Sequence, residues 1–131
     1  MRKITLSIGG AIAAMVISSG AAMAQDSAGD AAAGKLVFNK CHVCHAVVAG
    51  KMKVGPSLFG VVGRTPGALA GYKYSPAMVA FGKSGKAWDA ATLDTYLKGP
   101  QAMIPKIKMF FPGLKSEKDR RDVIAYLESL H

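Results

Sequence analysis

A chain of 131 residues has room for one domain, and 17 Lys and Arg against 8 Asp and Glu give it a formal charge of +9 at pH 7. Half of its residues are hydrophobic and two are cysteine, which excludes a disordered polar chain and a disulfide-rich scaffold alike. The excess of positive charge points to an acidic partner: a protein surface, anionic lipid or nucleic acid.

The first residues have the grammar of a secretory signal peptide. Arg2 and Lys3 form a basic start, Ile4 to Ile17 is an apolar stretch diluted by Ser and Gly, and Ala22-Met23-Ala24 closes it. Cleavage is predicted before Gln25, removing residues 1–24 and leaving a domain over 25–131 whose formal charge falls from +9 to +7. The apolar run is short of the ~20 residues that a membrane-spanning helix needs, so an uncleaved anchor is the lesser alternative. Export to the periplasm excludes nucleic acid as the partner. A domain this small buries a modest fraction of its surface, so a bound group would add to its core.

Asp30 is placed to cap a first helix running to about Lys40, with Gly34, Val37, Phe38 and Cys41 on one face. Residues 46–75 are rich in Gly and Pro and have no sustained period. So long a connection needs something of its own to pack on. Ser75-Pro76 opens a short helix to about Phe81. Asp89 caps another, in which Leu93, Tyr96 and Leu97 share a face and Gly99-Pro100 is the stop. Pro105 to Leu114 is a predicted loop. Ser116 with Asp119 resembles a capping box for a last helix, striped by Val123, Ile124, Leu127 and Leu130. No alternating strand pattern appears. The prediction is an all-α domain, a few helices joined by long loops.

Cys41-His42-Val43-Cys44-His45 is C-x-x-C-H, the attachment motif of c-type haem. Thiols about one helical turn apart can each add to a vinyl group of one porphyrin, and the following imidazole then projects toward the iron. A redox-active C-x-x-C of the thioredoxin kind needs a βαβ setting that this chain lacks. A zinc site would have to wrap four ligands of one five-residue segment around a tetrahedron. One haem c, covalent through Cys41 and Cys44 with His45 on the iron, is the reading. His42 and His131 carry no role in it.

A second strong ligand would close the iron for electron transfer, whereas an open position would suit an enzyme or a gas sensor. The methionines beyond residue 24 are Met52, Met78, Met103 and Met109, each of which could equally fill a core. Met109 stands apart because Lys108-Met109-Phe110-Phe111-Pro112-Gly113 lies on the loop before the last helix, with two aromatics placed to shut that face against water.

With these motifs in order, the chain resembles the class I c-type cytochromes, close to bacterial cytochrome c2 and mitochondrial cytochrome c. The resemblance spans residues 30–130 and rests on Phe38 with the haem motif, Lys53-Val54-Gly55-Pro56-Ser57-Leu58, Gly63-Arg64, Gly71-Tyr72-Lys73-Tyr74, Trp88, Tyr96-Leu97, Ile104-Pro105, Lys108-Met109 and Asp122-Val123-Ile124-Ala125-Tyr126-Leu127. It implies the cytochrome c fold, wrapped around one covalent haem, with Met109 as sixth ligand and His45 and Met109 as the metal-binding pair. It further implies that the Pro56 carbonyl accepts the His45 ring N–H, and that Arg64, Tyr74 and Trp88 serve the haem propionates. Tyr96 would bring its hydroxyl to the methionine sulfur, and Gly34 and Tyr126 would mark a close helix crossing. Two positions depart from the family pattern. Lys106-Ile107 stands where Gly-Thr is common, and Met78 where Asn is usual. The expected consequence is a drier methionine side and a raised potential.

The function this implies is a periplasmic one-electron carrier and not an enzyme. It would be a monomer that touches membranes only through partners: a cytochrome bc complex or a dehydrogenase as donor, a terminal oxidase or a photosynthetic reaction centre as acceptor. Lys40, Lys51, Lys53, Lys106, Lys108 and Lys115 flank the two ligands in sequence and suggest a positive collar for acidic docking surfaces. The competing reading is a haem-binding enzyme or gas sensor with an open sixth position.

Overall fold

The computed structural model describes residues 29–131; the predicted signal peptide over 1–24 lies outside the described residues. Five α-helices follow in order, α1 Ala31–Val37, α2 Pro76–Lys83, α3 Ala90–Lys98, α4 Pro100–Met103 and α5 Glu117–Glu128, with a 3₁₀ turn Phe38–Lys40 continuing α1. No strand occurs among the described residues, and none of their helices is long and apolar enough to cross a membrane.

Four of the helix starts are written locally. Asp30 accepts the Ala32 and Ala33 amides at 2.8 and 3.2 Å. Ser75 accepts from Met78 at 3.1 Å, Asp89 from Thr92 at 2.8 Å and Ser116 from Asp119 at 3.2 Å. Each cap satisfies an amide that the first turn leaves without a partner and contributes about 1 kcal/mol. Helix α4 has no such cap. Gly99 ends α3 as expected, but Pro100 restarts a helix at once, because its fixed φ and missing N–H suit a first position.

Helices α1 and α5 cross with their backbones in contact. A Cβ on Gly34 would lie 1.8 Å from the Asp122 carbonyl oxygen, so only glycine fits. The backbone facing Gly34 is that of Asp122, and Tyr126 packs one turn along, its ring 5.3 Å from that of Phe38. The buried Asp122 carboxylate accepts the Asp30 amide at 2.9 Å and pairs with Lys118 at 2.5 Å, tying the two ends of the domain together. These contacts hold its carboxyl below the usual aspartate range, the Lys118 bond first and the Asp30 amide second.

Phe38, Trp88, Leu93, Tyr96, Leu97, Val123, Ile124 and Leu127 form the core with Val61, Met78, Ile104, Ile107 and Leu114. Residues 41–75 contain no helix and run around this core. Gly63 donates to the Trp88 carbonyl and Trp88 to that of Arg64, both at 2.9 Å, and Gly60 donates to Leu130 at 2.7 Å.

Candidate functional site

The two cysteines sit where the helical path of α1 runs out. The amides of Cys41 and His42 bond to the Phe38 carbonyl at 2.7 and 3.0 Å, and those of Cys44 and His45 to the Cys41 carbonyl at 3.0 and 2.9 Å. The motif is thus two successive turns, and both thiols and the imidazole line one cavity. The following segment folds back: Gly55 donates to the Cys44 carbonyl at 2.8 Å and Leu58 to Ala46 at 2.9 Å. That return sets Gly55 against the His45 ring, where a Cβ would come within 2.4 Å of Cε1. It also brings the Pro56 carbonyl 2.7 Å from His45 Nδ1. A carbonyl only accepts, so Nδ1 carries the proton and Nε2 keeps its lone pair. Burial pushes the His45 pKa down, opposed by the Pro56 bond and aided by Lys53 and Arg64. Burial also raises the Cys41 thiol.

Met109 lies between α4 and α5 and is half-buried, lining the same cavity. The Tyr96 hydroxyl approaches its sulfur at 3.5 Å, within the longer range that hydrogen bonds to sulfur take. Burial drives the Tyr96 pKa well up, so the hydroxyl keeps its proton and acts as the donor. The two aromatics after Met109 separate. Phe111 is half-buried against the core, whereas Phe110 is 96% exposed. Phe110 reaches only the rim of the cavity and closes little of it, short of the sequence expectation that both aromatics shut this face against water.

The cavity measures about 600 Å³ and runs through the centre of the domain, walled by Phe38, Leu58, Val61, Met78, Trp88, Leu93, Leu97, Ile107, Val123 and Leu127. Its wall also holds Lys40, Arg64, Lys73 and Lys108 and, among the described residues, not one carboxylate. Arg64 reaches only carbonyls, those of Ser57 at 2.9 Å and Phe59 at 3.3 Å. Burial lowers its pKa and raises that of Tyr74 beside it. A half-buried guanidinium without a carboxylate is costly unless an acid arrives with whatever fills the space. A flat apolar macrocycle bearing two acids answers that requirement, and the paired thiols answer its vinyl groups. The residues fit haem.

The predicted site residues Cys41, Cys44, His45, Pro56, Arg64, Tyr74, Trp88, Tyr96 and Met109 all line this one cavity. The lysine collar is rearranged. Lys40 and Lys108 border the cavity, joined by Lys73, which sequence spacing did not single out. Lys51 and Lys53 border a second recess of about 380 Å³ on the other side of His45, with Lys35 and His42. Lys115 is turned to the Lys98 and Pro112 carbonyls, both at 3.3 Å. Two further contributors escaped the sequence. Gly55 could have been suspected from its place beside Pro56. Gln101, whose amide bonds the Ile107 and Met109 carbonyls, looked like any surface glutamine.

A protein-family profile described as cytochrome c matches residues 31–131. Cytochrome c2 of Rhodomicrobium vannielii is 47% identical over 106 residues, covering 80% of this chain and 82% of that protein. Cytochrome c-554 of Methylosinus trichosporium is 42% identical over 128 residues, 97% of this chain and 92% of its own. Among solved structures, cytochrome cH from Methylobacterium extorquens superposes with a TM-score of 0.70 at 44% identity, covering 77% of this chain and 99% of that one. Cytochrome c2 from Rhodospirillum Centenum gives 0.73 at 37% identity over 78% of this chain and 98% of its own. The chain belongs to the cytochrome c family, and the group for which its core cavity is shaped is one haem c, bonded through Cys41 and Cys44.

Proposed function

We propose that this cytochrome is an exported one-electron carrier of the periplasm whose iron is held by His45 and Met109. The observation that carries the reading is that both side chains line one acid-free cavity, each tethered by a single hydrogen bond, at Pro56 and at Tyr96. The haem, when bound, supplies reversible one-electron chemistry at its iron. Pro56 fixes the His45 tautomer so that Nε2 is the ligating nitrogen. Tyr96 orients the thioether, and with it in place no sixth position stays open for a small substrate, which disfavours an enzyme or gas sensor. Arg64, Tyr74 and Trp88 provide charge and hydrogen-bond donors for the propionates. Met78 and Ile107, 8% and 5% exposed, exclude water beside Met109 and favour the less charged ferrous state.

Lys40, Lys73 and Lys108 around the cavity mouth, on a chain of formal charge +9, are the surface that acidic redox partners would meet. A cytochrome bc complex or dehydrogenase is the proposed donor, an oxidase or a photosynthetic reaction centre the acceptor, and the carrier works as a monomer. Lys108 is a poor probe of this surface, since its ammonium already bonds the Lys73 carbonyl at 2.5 Å. Lys73→Glu is cleaner. Stopped-flow electron transfer to an acidic partner is expected to fall steeply with salt in the wild type, and Lys73→Glu to lower the low-salt rate and flatten that slope. A wild-type rate indifferent to salt would overturn the docking face.

A further inference from the structure

The segment that carries Met109 is held in an unusual way. Beyond a turn at Pro105-Lys106, the segment from Pro105 to Gly113 makes no well-formed bond between backbone groups, although the chain on either side does so, at Ile104 to Pro100 and at Leu114 to Leu97. Within it Lys106 takes φ 66°, the single non-glycine residue with positive φ among the described residues. A left-handed lysine is strained and persists only where its surroundings hold it. Ile107 next to it has no hydroxyl with which to anchor the loop.

The anchor comes from outside the segment. Gln101 in α4 places one side-chain atom 3.1 Å from the Ile107 carbonyl oxygen and 3.1 Å from that of Met109. Both partners can only accept, so this atom is the amide nitrogen and its two hydrogens go one to each carbonyl. The pair holds the peptide that joins Ile107 to Lys108 and the one that joins Met109 to Phe110, one on each side of the Lys108-Met109 step. Tyr96 reaches the Met109 sulfur but not its backbone. Lys108 ties the loop across the cavity mouth to Lys73 by a long flexible stem.

We propose that Gln101 is the positioning residue of the methionine ligand: its amide clamps the backbone of the strained loop and sets how often the Met109 thioether leaves its place. The proposal rests on Met109 being the sixth ligand and adds what governs its residence. Two hydrogen bonds of ordinary net strength, partly open to water, correspond to about a tenfold change in the equilibrium between loop in place and loop released. The histidine side, closed by its own backbone bonds and by Pro56, is not touched.

The test uses ferric holoprotein and imidazole as an incoming ligand, followed by stopped-flow absorbance. The binding rate is expected to saturate with imidazole concentration at the rate of thioether departure. Gln101→Met keeps length and removes both donors; the saturating rate is expected to rise about tenfold. Gln101→Glu is isosteric and sets an anion against two carbonyls; the rise is expected to be larger. Lys106→Gly removes the strain of the left-handed lysine and is expected to slow departure. Thermal melting of the same proteins separates positioning from general stability, because a merely structural glutamine would lower the melting temperature and leave the saturating rate alone. An unchanged saturating rate in both Gln101 variants overturns the proposal. A wild-type rate that never saturates, with no far-red sulfur-to-iron band, instead sinks the Met109 assignment and the proposal with it.

Discussion

The stretch from Cys41 to Leu58 and the stretch from Pro105 to Gly113 each present one side chain to the same cavity, yet they hold it by different means. In the first, backbone bonds backbone: His45 to Cys41, Gly55 to Cys44, Leu58 to Ala46. The imidazole then meets a carbonyl only eleven residues away. In the second, beyond the turn at Pro105-Lys106, the backbone is held by side chains, those of Gln101 and Lys115, while Lys108 reaches across to Lys73 and Tyr96 reaches the sulfur. One side of the cavity carries its own support. The other is suspended from side chains of α3 and α4 and from Lys115, so that the Met109 thioether is only as firm as those side-chain contacts.

The contrast is broken most severely at the root of the suspended segment. Arg120 is buried and donates from Nε to Asp94 at 2.7 Å and from Nη1 to the carbonyls of Leu114 at 2.9 Å and Lys115 at 3.0 Å. Arg120→Leu strands these acceptors and is expected to cost about 3–5 kcal/mol of unfolding free energy. Asp94 is 39% exposed and can rehydrate, which argues for the lower end. On warming, the methionine-to-iron signature should vanish before the helical circular dichroism does, because the suspended side lets go first. Loss of both in one step would erase the distinction between the two regions.

A smaller change probes the self-supported side. Gly55→Ala places a methyl group within 2.4 Å of the His45 ring and must displace ring or loop. Overpacking of this kind costs about 1–3 kcal/mol. Urea unfolding should register that loss, and nuclear magnetic resonance should report a shifted His45 ring. The rate of imidazole entry at Met109 should stay at its wild-type value; a large rise would mean that the two sides are not independent.

How much of this could be read without coordinates follows the same division. The caps at Asp30, Ser75, Asp89 and Ser116 were legible because a cap is a local bond between a side chain and an amide two or three positions on. The haem motif was legible for the same reason: its spacing is its chemistry. Met109 already stood apart from the other three methionines by its loop before the last helix, and was read as the sixth ligand through the family resemblance. Phe110 was misjudged, since two adjacent aromatics do not say which one the backbone turns outward. The role of Gln101 and the place of Lys73 at the cavity mouth were not legible, because both depend on loops 6 to 35 residues away. The restart at Pro100 was hidden by a Gly-Pro pair that ordinarily signals only an end.

The central claim is that two side chains, one on each kind of support, share the iron. It is tested most directly by the ferric absorption spectrum of holoprotein with Met109 replaced by leucine. The wild type should show a weak far-red band from sulfur-to-iron charge transfer, and Met109→Leu should lose that band and turn high-spin or bind added imidazole at once. A variant that kept the band and a low-spin spectrum identical to the wild type would contradict the account.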